Sequence, residues 1–272
     1  LAQEKGLLFR CTAAVGGGIS WLSELERTRR TQTVQAVGGI MNGTCNYILD
    51  SMTRLGQDYA EALAQAQKLG YAEANPTTDV EGIDTWHKVI LSSNIGFGVS
   101  LVPETVPVCG ISKIKASDVE NFKAKGLVCK LISTGKCDGG KVSAYVQPTL
   151  VPQGEPEAAV PSNYNLITLV GSASGRMSFF GQGAGRYPTA YNVVQDCADV
   201  LSGKGFYSPY GSKVSACNED MLSYYVSGVC DSWLQENKQE VWGDAIVTKP
   251  VSVTQIHQWL KNNPDAFIAA IQ

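Results

Sequence analysis

Histidine is scarce in this 272-residue sequence: His87 and His257 are the whole supply. Neither has a nucleophile motif beside it, so neither Ser-His-Asp nor Cys-His hydrolysis finds its parts here. Charge is thin as well. Only 17% of residues are charged, the net charge is -3, and no Lys/Arg-rich block occurs, which argues against nucleic acid or an anionic membrane as a partner. No apolar run approaches the ~20 residues a spanning helix needs, and no signal peptide opens the chain, so a soluble, cytoplasmic protein is expected. The eight cysteines form no CxxC pair and no Cys/His cluster. They lie mostly in apolar runs and read as reduced, buried small hydrophobes rather than a zinc site or a disulfide framework.

What the sequence does have is a concentration of polar groups in residues 70–88, Gly-Tyr-Ala-Glu-Ala-Asn-Pro-Thr-Thr-Asp-Val-Glu-Gly-Ile-Asp-Thr-Trp-His-Lys. Four carboxylates, a lysine and a histidine share nineteen positions. Before it, Asp58 with Glu61 three residues later predicts a capped helix that stops at Gly70. After it, Val80, Ile83, Trp86 or His87, and Ile90 recur at helical spacing. The acids therefore fall on a helix-to-helix connection, where backbone amides and side chains can converge on a small ligand.

Along the chain, residues 7–15 read as a buried strand broken by Gly16-Gly17-Gly18, a tight turn or a carbonyl cage ahead of a helix at 19–30. This turn lacks the G-x-G-x-x-G spacing of a dinucleotide fingerprint. A strand at 33–40 leads into a helix at 45–55, for which Asn42 or Thr44 is the N-cap candidate. Residues 110–120 predict a short strand and a helix capped at Ser117. Strands at 127–133 and 142–150 are joined by the turn 137–140, and two more follow in 165–180. A second glycine-rich turn, 181–185, feeds a helix ending near Leu201. The loop 203–211 is a boundary candidate, followed by a strand at 221–229 and a capping box at Ser252 and Gln255.

Asp84 and Lys88 are four apart and share a helix face. That spacing suits a solvated ion pair, and it equally suits a lysine that protonates a carbonyl while Asp84 and Glu73 hold a cationic amino group. His87 falls on the apolar side and reads as a packed core histidine; His257 reads as structural.

The stretch Ala66, Gly70, Asn75-Pro76, Asp79-Val80, Gly82, Asp84 and Lys88 resembles the homoserine dehydrogenase family. Residues 13–19, 39–48, Gly183-Ala184-Gly185 and Pro188-Thr189-Ala190 agree in the same order, so the resemblance covers residues 1–201. It implies an α+β fold, a mixed β-sheet with helices covering one face, forming a catalytic and dimerisation domain over 1–201. A small appended unit at 202–272 follows, in which Tyr224-Tyr225-Val226 resembles the first strand of an ACT domain. A chain opening at Leu1 then reads as a piece lacking the N-terminal Rossmann domain, inactive alone, with the helix 186–201 returning to that domain.

Carried over by position, Lys88 matches the family's proton donor, Glu73 and Asp84 its substrate-binding acids, and Gly185 a residue near the cofactor. The implied reaction is NAD(P)-dependent interconversion of L-aspartate 4-semialdehyde and L-homoserine in threonine and methionine biosynthesis, by a homodimer or higher homo-oligomer. Backbone carbonyls of Thr12, Val15, Gly17 and Ile19 match the family's monovalent-cation site, which makes Na+ an expected ligand; Thr12 stands where the family has Glu and Ser20 where it has Pro. Two rivals remain at this point: an amino-acid-binding regulatory module without redox activity, and a purely structural subunit.

Overall fold

The computed structural model describes residues 2–205 and 211–272. Part of the loop expected at 203–211 therefore lies outside the described residues. In chain order the elements are α1 (Trp21–Arg29), β1 (Val34–Ile40), α2 (Gly43–Leu55), α3 (Tyr59–Lys68), α4 (Thr77–Val80), α5 (Ile83–Phe97), β2 (Ser100–Leu101) and α6 (Ala116–Ala124). The hairpin β3 (Leu127–Asp138) and β4 (Lys141–Pro152) follows, then β5 (Tyr164–Gly171), β6 (Gly175–Gln182) and α7 (Arg186–Leu201). The remainder is β7 (Lys213–Val214), β8 (Met221–Ser227), α8 (Ser232–Asn237), β9 (Lys238–Trp242), β10 (Ala245–Thr248), β11 (Val251–Ser252), α9 (Val253–Asn262) and β12 (Phe267–Ile271).

Local chemistry explains most of these boundaries. Asp58 and Glu61 close the capping box predicted for α3, and Gly70 continues beyond it at φ +75°. Gly82 and Gly98 bracket α5, both left-handed. Gly139 and Gly140, at φ +53° and +83°, make the two-residue turn of the β3–β4 hairpin, since only a residue without Cβ takes two such positions cheaply.

Among the described residues ten strands form one mixed sheet in the order β6-β5-β1-β3-β4-β12-β8-β10-β9, with β11 paired to β8. All of these pairings are antiparallel except β4 with β12. As expected, α2, α5 and α6 bury one face of β3 and β4, around Ile48, Val89, Phe122, Leu131 and Val146. α1 adds a second cluster with Trp21, Leu25, Val37 and Ile167.

Over the tail the sheet is covered twice: Tyr225, Val247 and Phe267 face the large core, while Tyr224, Val226, Ile246 and Ile268 pack under Leu234 of α8 and Ile256 and Trp259 of α9. Both faces being apolar, these strands are buried almost without alternation. The tail runs strand-helix-strand-strand-helix-strand with strands ordered β12-β8-β10-β9, the split β-α-β arrangement, and is appended through the sheet itself.

Three expectations differ from what forms. Residues 7–15 pair with no strand among the described residues: Leu7, Leu8 and Phe9 are exposed, and a 3-10 turn occupies Thr12–Ala14. The cause is Arg10, which the charges of Glu26, Asp196 and Asp199 fix at 3.0, 3.5 and 3.1 Å, so the segment is tied by side chains rather than by a ladder. Near residue 110 a single bridge, Val108 to Val146, replaces the expected strand, because the amide of Ile111 goes to Val80 instead. α6 begins at Ala116, ahead of Ser117, with Asp118 accepting the Lys115 amide.

Candidate active site

The acid-rich connection folds into one turn, α4, and then enters α5 through Gly82. Asp84 and Lys88 therefore stand one helical turn apart on the same face, and Lys88 Nζ donates to Asp84 Oδ2 at 2.6 Å. The same ammonium donates to the Met41 carbonyl at 3.0 Å, just before α2. Lys88 and Asp84 are part-buried, 15% and 30% exposed along their side chains, so the pair lies in a cleft and not on an open helix surface.

Asn42 joins the two halves of this site. Its Oδ1 accepts the Cys45 amide at 2.8 Å and caps α2, as the sequence suggested. Its Nδ2 donates to Asp79 Oδ1 at 2.7 Å and to Asp84 Oδ2 at 2.9 Å, a role sequence reading missed. One carboxamide thus holds two carboxylates while fixing a helix start. Burial raises the Asp79 carboxyl above its ordinary range; the Asn42 hydrogen bond opposes the rise and the Asp84 charge adds to it. Cys45, fully buried beside Asp79, is pushed well up by burial first and by Asp79, Asp84 and Glu81 after it, so it stays a thiol.

These groups line a cleft of about 460 Å³ whose other walls are Thr44, Tyr71, Glu73, Asn163 and Gly183 to Gly185. Glu73 faces it from an exposed loop whose carbonyl accepts from Gln67. Gly185 precedes α7 at φ +119°, presenting backbone without a side chain to the cleft. The geometry thus brings Glu73, Asp84, Lys88 and Gly185 together, and adds Asn42, Asp79 and Asn163.

His87 is not a core residue. It is exposed and meets Trp86 edge-on at 5.0 Å. Trp86 takes the inward position, its indole donating to the Val106 carbonyl at 2.8 Å, and the buried line of α5 runs instead through Thr85, Val89 and Ser92. His257 is buried and structural, its Nε2 lying 3.0 Å from Gln147 Oε1. All eight cysteines are free, and only part of the burial expectation holds: Cys45 and Cys129 are buried while Cys197, Cys217 and Cys230 are exposed.

The two glycine-rich turns meet each other. Gly18 donates its amide to the Gln182 carbonyl at 3.0 Å, and a Cβ on Gly17 would overlap the Gly183 carbonyl. Thr12 gives its amide and hydroxyl to Asp196 at 2.7 and 2.6 Å. The Gly17 carbonyl accepts from Asn192 at 2.6 Å, and those of Thr12 and Ile19 accept the amides of Val15 and Trp21. A cation at these carbonyls would use second lone pairs. Among the described residues no group of three or more His, Cys, Asp or Glu side chains could hold a metal ion, and no helix is long and apolar enough to cross a membrane.

A family model described as homoserine dehydrogenase matches residues 21–198. The homoserine dehydrogenase of Bacillus subtilis (strain 168) is 39% identical over 219 residues, 78% of this chain and 51% of that protein. That of Corynebacterium glutamicum is 41% identical over 197 residues, 71% of this chain and 44% of that protein. The crystal structure of a homoserine dehydrogenase from Thiobacillus denitrificans superimposes with a TM-score of 0.85 at 26% identity, covering 100% of this chain and 72% of that one. One from S. aureus gives 0.73 at 27% identity, covering 100% and 70%. The chain spans about half the length of the curated relatives it matches.

Proposed function

The chain belongs to the homoserine dehydrogenase family, and from that premise we propose that it carries the substrate half of a site interconverting L-aspartate 4-semialdehyde and L-homoserine with NAD or NADP. The observation that carries the reading is the convergence of Lys88, Asp84 and Asn42 in a cleft that also holds Glu73 and Gly185.

An ammonium has three N–H donors. Asp84 and the Met41 carbonyl take two of those on Lys88, which leaves one for the substrate's carbonyl oxygen. In reduction that proton goes to the oxygen as hydride reaches the aldehyde carbon; in oxidation Lys88 takes it back. Asp84 uses Oδ2 for Lys88 and Asn42, and its Oδ1 with Glu73 serves the substrate's amino group as a pair of anionic acceptors. Asp79 lies across Asn42 from Asp84 and adds to the negative field facing that amino group.

A nicotinamide, when bound, supplies or accepts the hydride. Gly183 to Gly185 fit it, since they line the cleft with bare backbone that a flat ring can approach. Leu7, Leu8 and Phe9 are exposed, as are Tyr187, Tyr191, Val194 and Leu201 along α7. We read these as the apolar surface that packs on a cofactor domain, in line with the greater length of the relatives. The carbonyls of Thr12, Val15, Gly17 and Ile19 are our proposed Na+ ligands. A homodimer is proposed from family membership, with edge strand β6 and its exposed Phe180, stacked on Tyr164 at 5.1 Å, as one surface to probe. The order and pairing of the tail strands support an ACT-like unit at 202–272.

The test is homoserine oxidation by the chain expressed with whatever flanking sequence its gene encodes. General acid-base loss predicts that Lys88→Met lowers kcat by about 10²–10⁴-fold. Equal rates for the two proteins would remove Lys88 from the chemistry.

A further inference from the structure

We propose that Asn163 faces the substrate and that Lys130, acting through Asn46, is the positioning residue that holds it in the cleft. This deepens the dehydrogenase reading above and rests on it.

Lys130 is wholly buried in β3. Burial draws its ammonium down to about 8, and a methionine would fill similar volume without that cost. What the charge achieves is a set of directed bonds. Nζ donates to Asn46 Oδ1 at 2.9 Å and to the Val160 carbonyl at 2.7 Å. Asn46, on the inner side of α2, donates from Nδ2 to the carbonyls of Val160, Ser162 and Tyr164 at 3.2, 2.7 and 3.3 Å. One turn further along α2, Asp50 accepts the Ser162 amide at 2.9 Å while pairing with Arg54 at 2.7 Å. Three residues from two elements therefore grip one five-residue segment by its backbone.

That segment is under strain. Ser162 has φ +49°, the one positive φ outside glycine among the described residues, a conformation that persists where surrounding bonds over-determine it. The result is a sharp bend that puts Asn163 against the start of α2. A Cβ on Gly43 would come within 2.6 Å of the Asn163 carbonyl, so Gly43 leaves the space the bend needs. Asn163 then lines the same cleft as Glu73, Asp84 and Lys88, whereas Lys130 does not reach it. Strain, bare backbone and buried charge converge on placing Asn163 in the wall of the cleft that holds the acids and the lysine.

The experiment is a double-mutant cycle on homoserine oxidation, again in the chain with its native flanks. Asn163→Ala should raise KM for homoserine about five- to tenfold, the loss of one hydrogen bond, with its unfolding transition unchanged. Lys130→Met should raise KM similarly, and the double variant no further than either alone, because the lysine acts through the asparagine. A purely structural role for Lys130 would lower the active fraction and leave KM alone. Should Lys130→Met fail to fold, Asn46→Ala completes the same cycle from the other side of the contact. An unchanged KM in Asn163→Ala overturns the proposal, as does an additive KM increase in the double variant. If the unsubstituted protein does not turn over homoserine, the functional reading itself fails, and the cycle with it.

Discussion

His257 gives the clearest quantitative test of the packing. It sits in α9 at 6% exposure, with Nε2 3.0 Å from Gln147 Oε1, an oxygen that Tyr224 OH also approaches at 3.4 Å. Burial, helped by the positive charge of Lys261, lowers its pKa from 6.5 to about 4. The folded chain thus keeps the ring neutral where the unfolded chain would protonate it. Between those two values the unfolded state binds more protons, so stability rises with pH. The contribution is complete above the unfolded value of 6.5 and is lost as pH falls toward 4.

Treating the two states as simple titrations, His257 costs about 2 kcal/mol between about pH 7.5 and about pH 5. His257→Gln keeps an amide donor for Gln147 and removes the titration. Urea unfolding of both proteins at the two pH values isolates the effect, because acid-induced losses elsewhere cancel in the difference. The wild type should lose about 2 kcal/mol more than the variant over that interval. Parallel losses would show that the ring is hydrated or already paired for its charged form, and its burial as a neutral group would have to be abandoned.

Other expectations follow from the cleft and the turns. Asn42→Ala should cost about 1 kcal/mol in unfolding free energy through loss of the α2 cap. Asn42→Asp retains the capping oxygen but sets a third carboxylate against Asp79 and Asp84, so homoserine kcat/KM should fall in that variant more than its stability does. Gly17→Ala combines a φ of +54° with overlap on the Gly183 carbonyl; a loss of about 2 kcal/mol or more in urea unfolding is expected, and one under about 0.5 would contradict the contact. If the carbonyls near Gly17 hold Na+, the melting temperature should rise with sodium over an equal concentration of tetramethylammonium. Identical curves would dispose of the ion.

How much of this was legible depended on whether the information was local. Asp58 with Glu61, Gly70 and the Gly139-Gly140 turn act within one turn of backbone, and their elements form where the residues predict. Asp84 and Lys88 are also local, being one helical turn apart, which is why their pairing on one helix face could be read from spacing. The errors come from longer range. Residues 7–9 look like a strand by apolarity alone, yet Arg10 answers to Asp196 and Asp199 nearly two hundred residues later. Trp86 and His87 compete for one inward position, and periodicity cannot say which side chain wins. Asn42 was one of two cap candidates, but its second job requires Asp79 of α4 and Asp84 of α5 to arrive beside it. Lys130 left no signal: a lone lysine in an apolar strand has meaning only once Asn46 lies over it.

β12 is the one strand that joins β4 of the hairpin to β8 of the tail. Among the described residues this junction alone links the two groups along that sheet, and β12 follows every other strand of the sheet in chain order. During translation the strands up to β6 can pair while β8 to β10 form their own antiparallel set, but neither group can dock edge to edge until residue 271 has left the ribosome. Until then β4 and β8 each present an open, apolar edge, the kind of surface that recruits chaperones or a neighbouring nascent chain. A pause in translation after residue 248 would prolong that exposure, so the yield of folded protein in a cell depends on when residues 249–271 emerge as well as on how they pack.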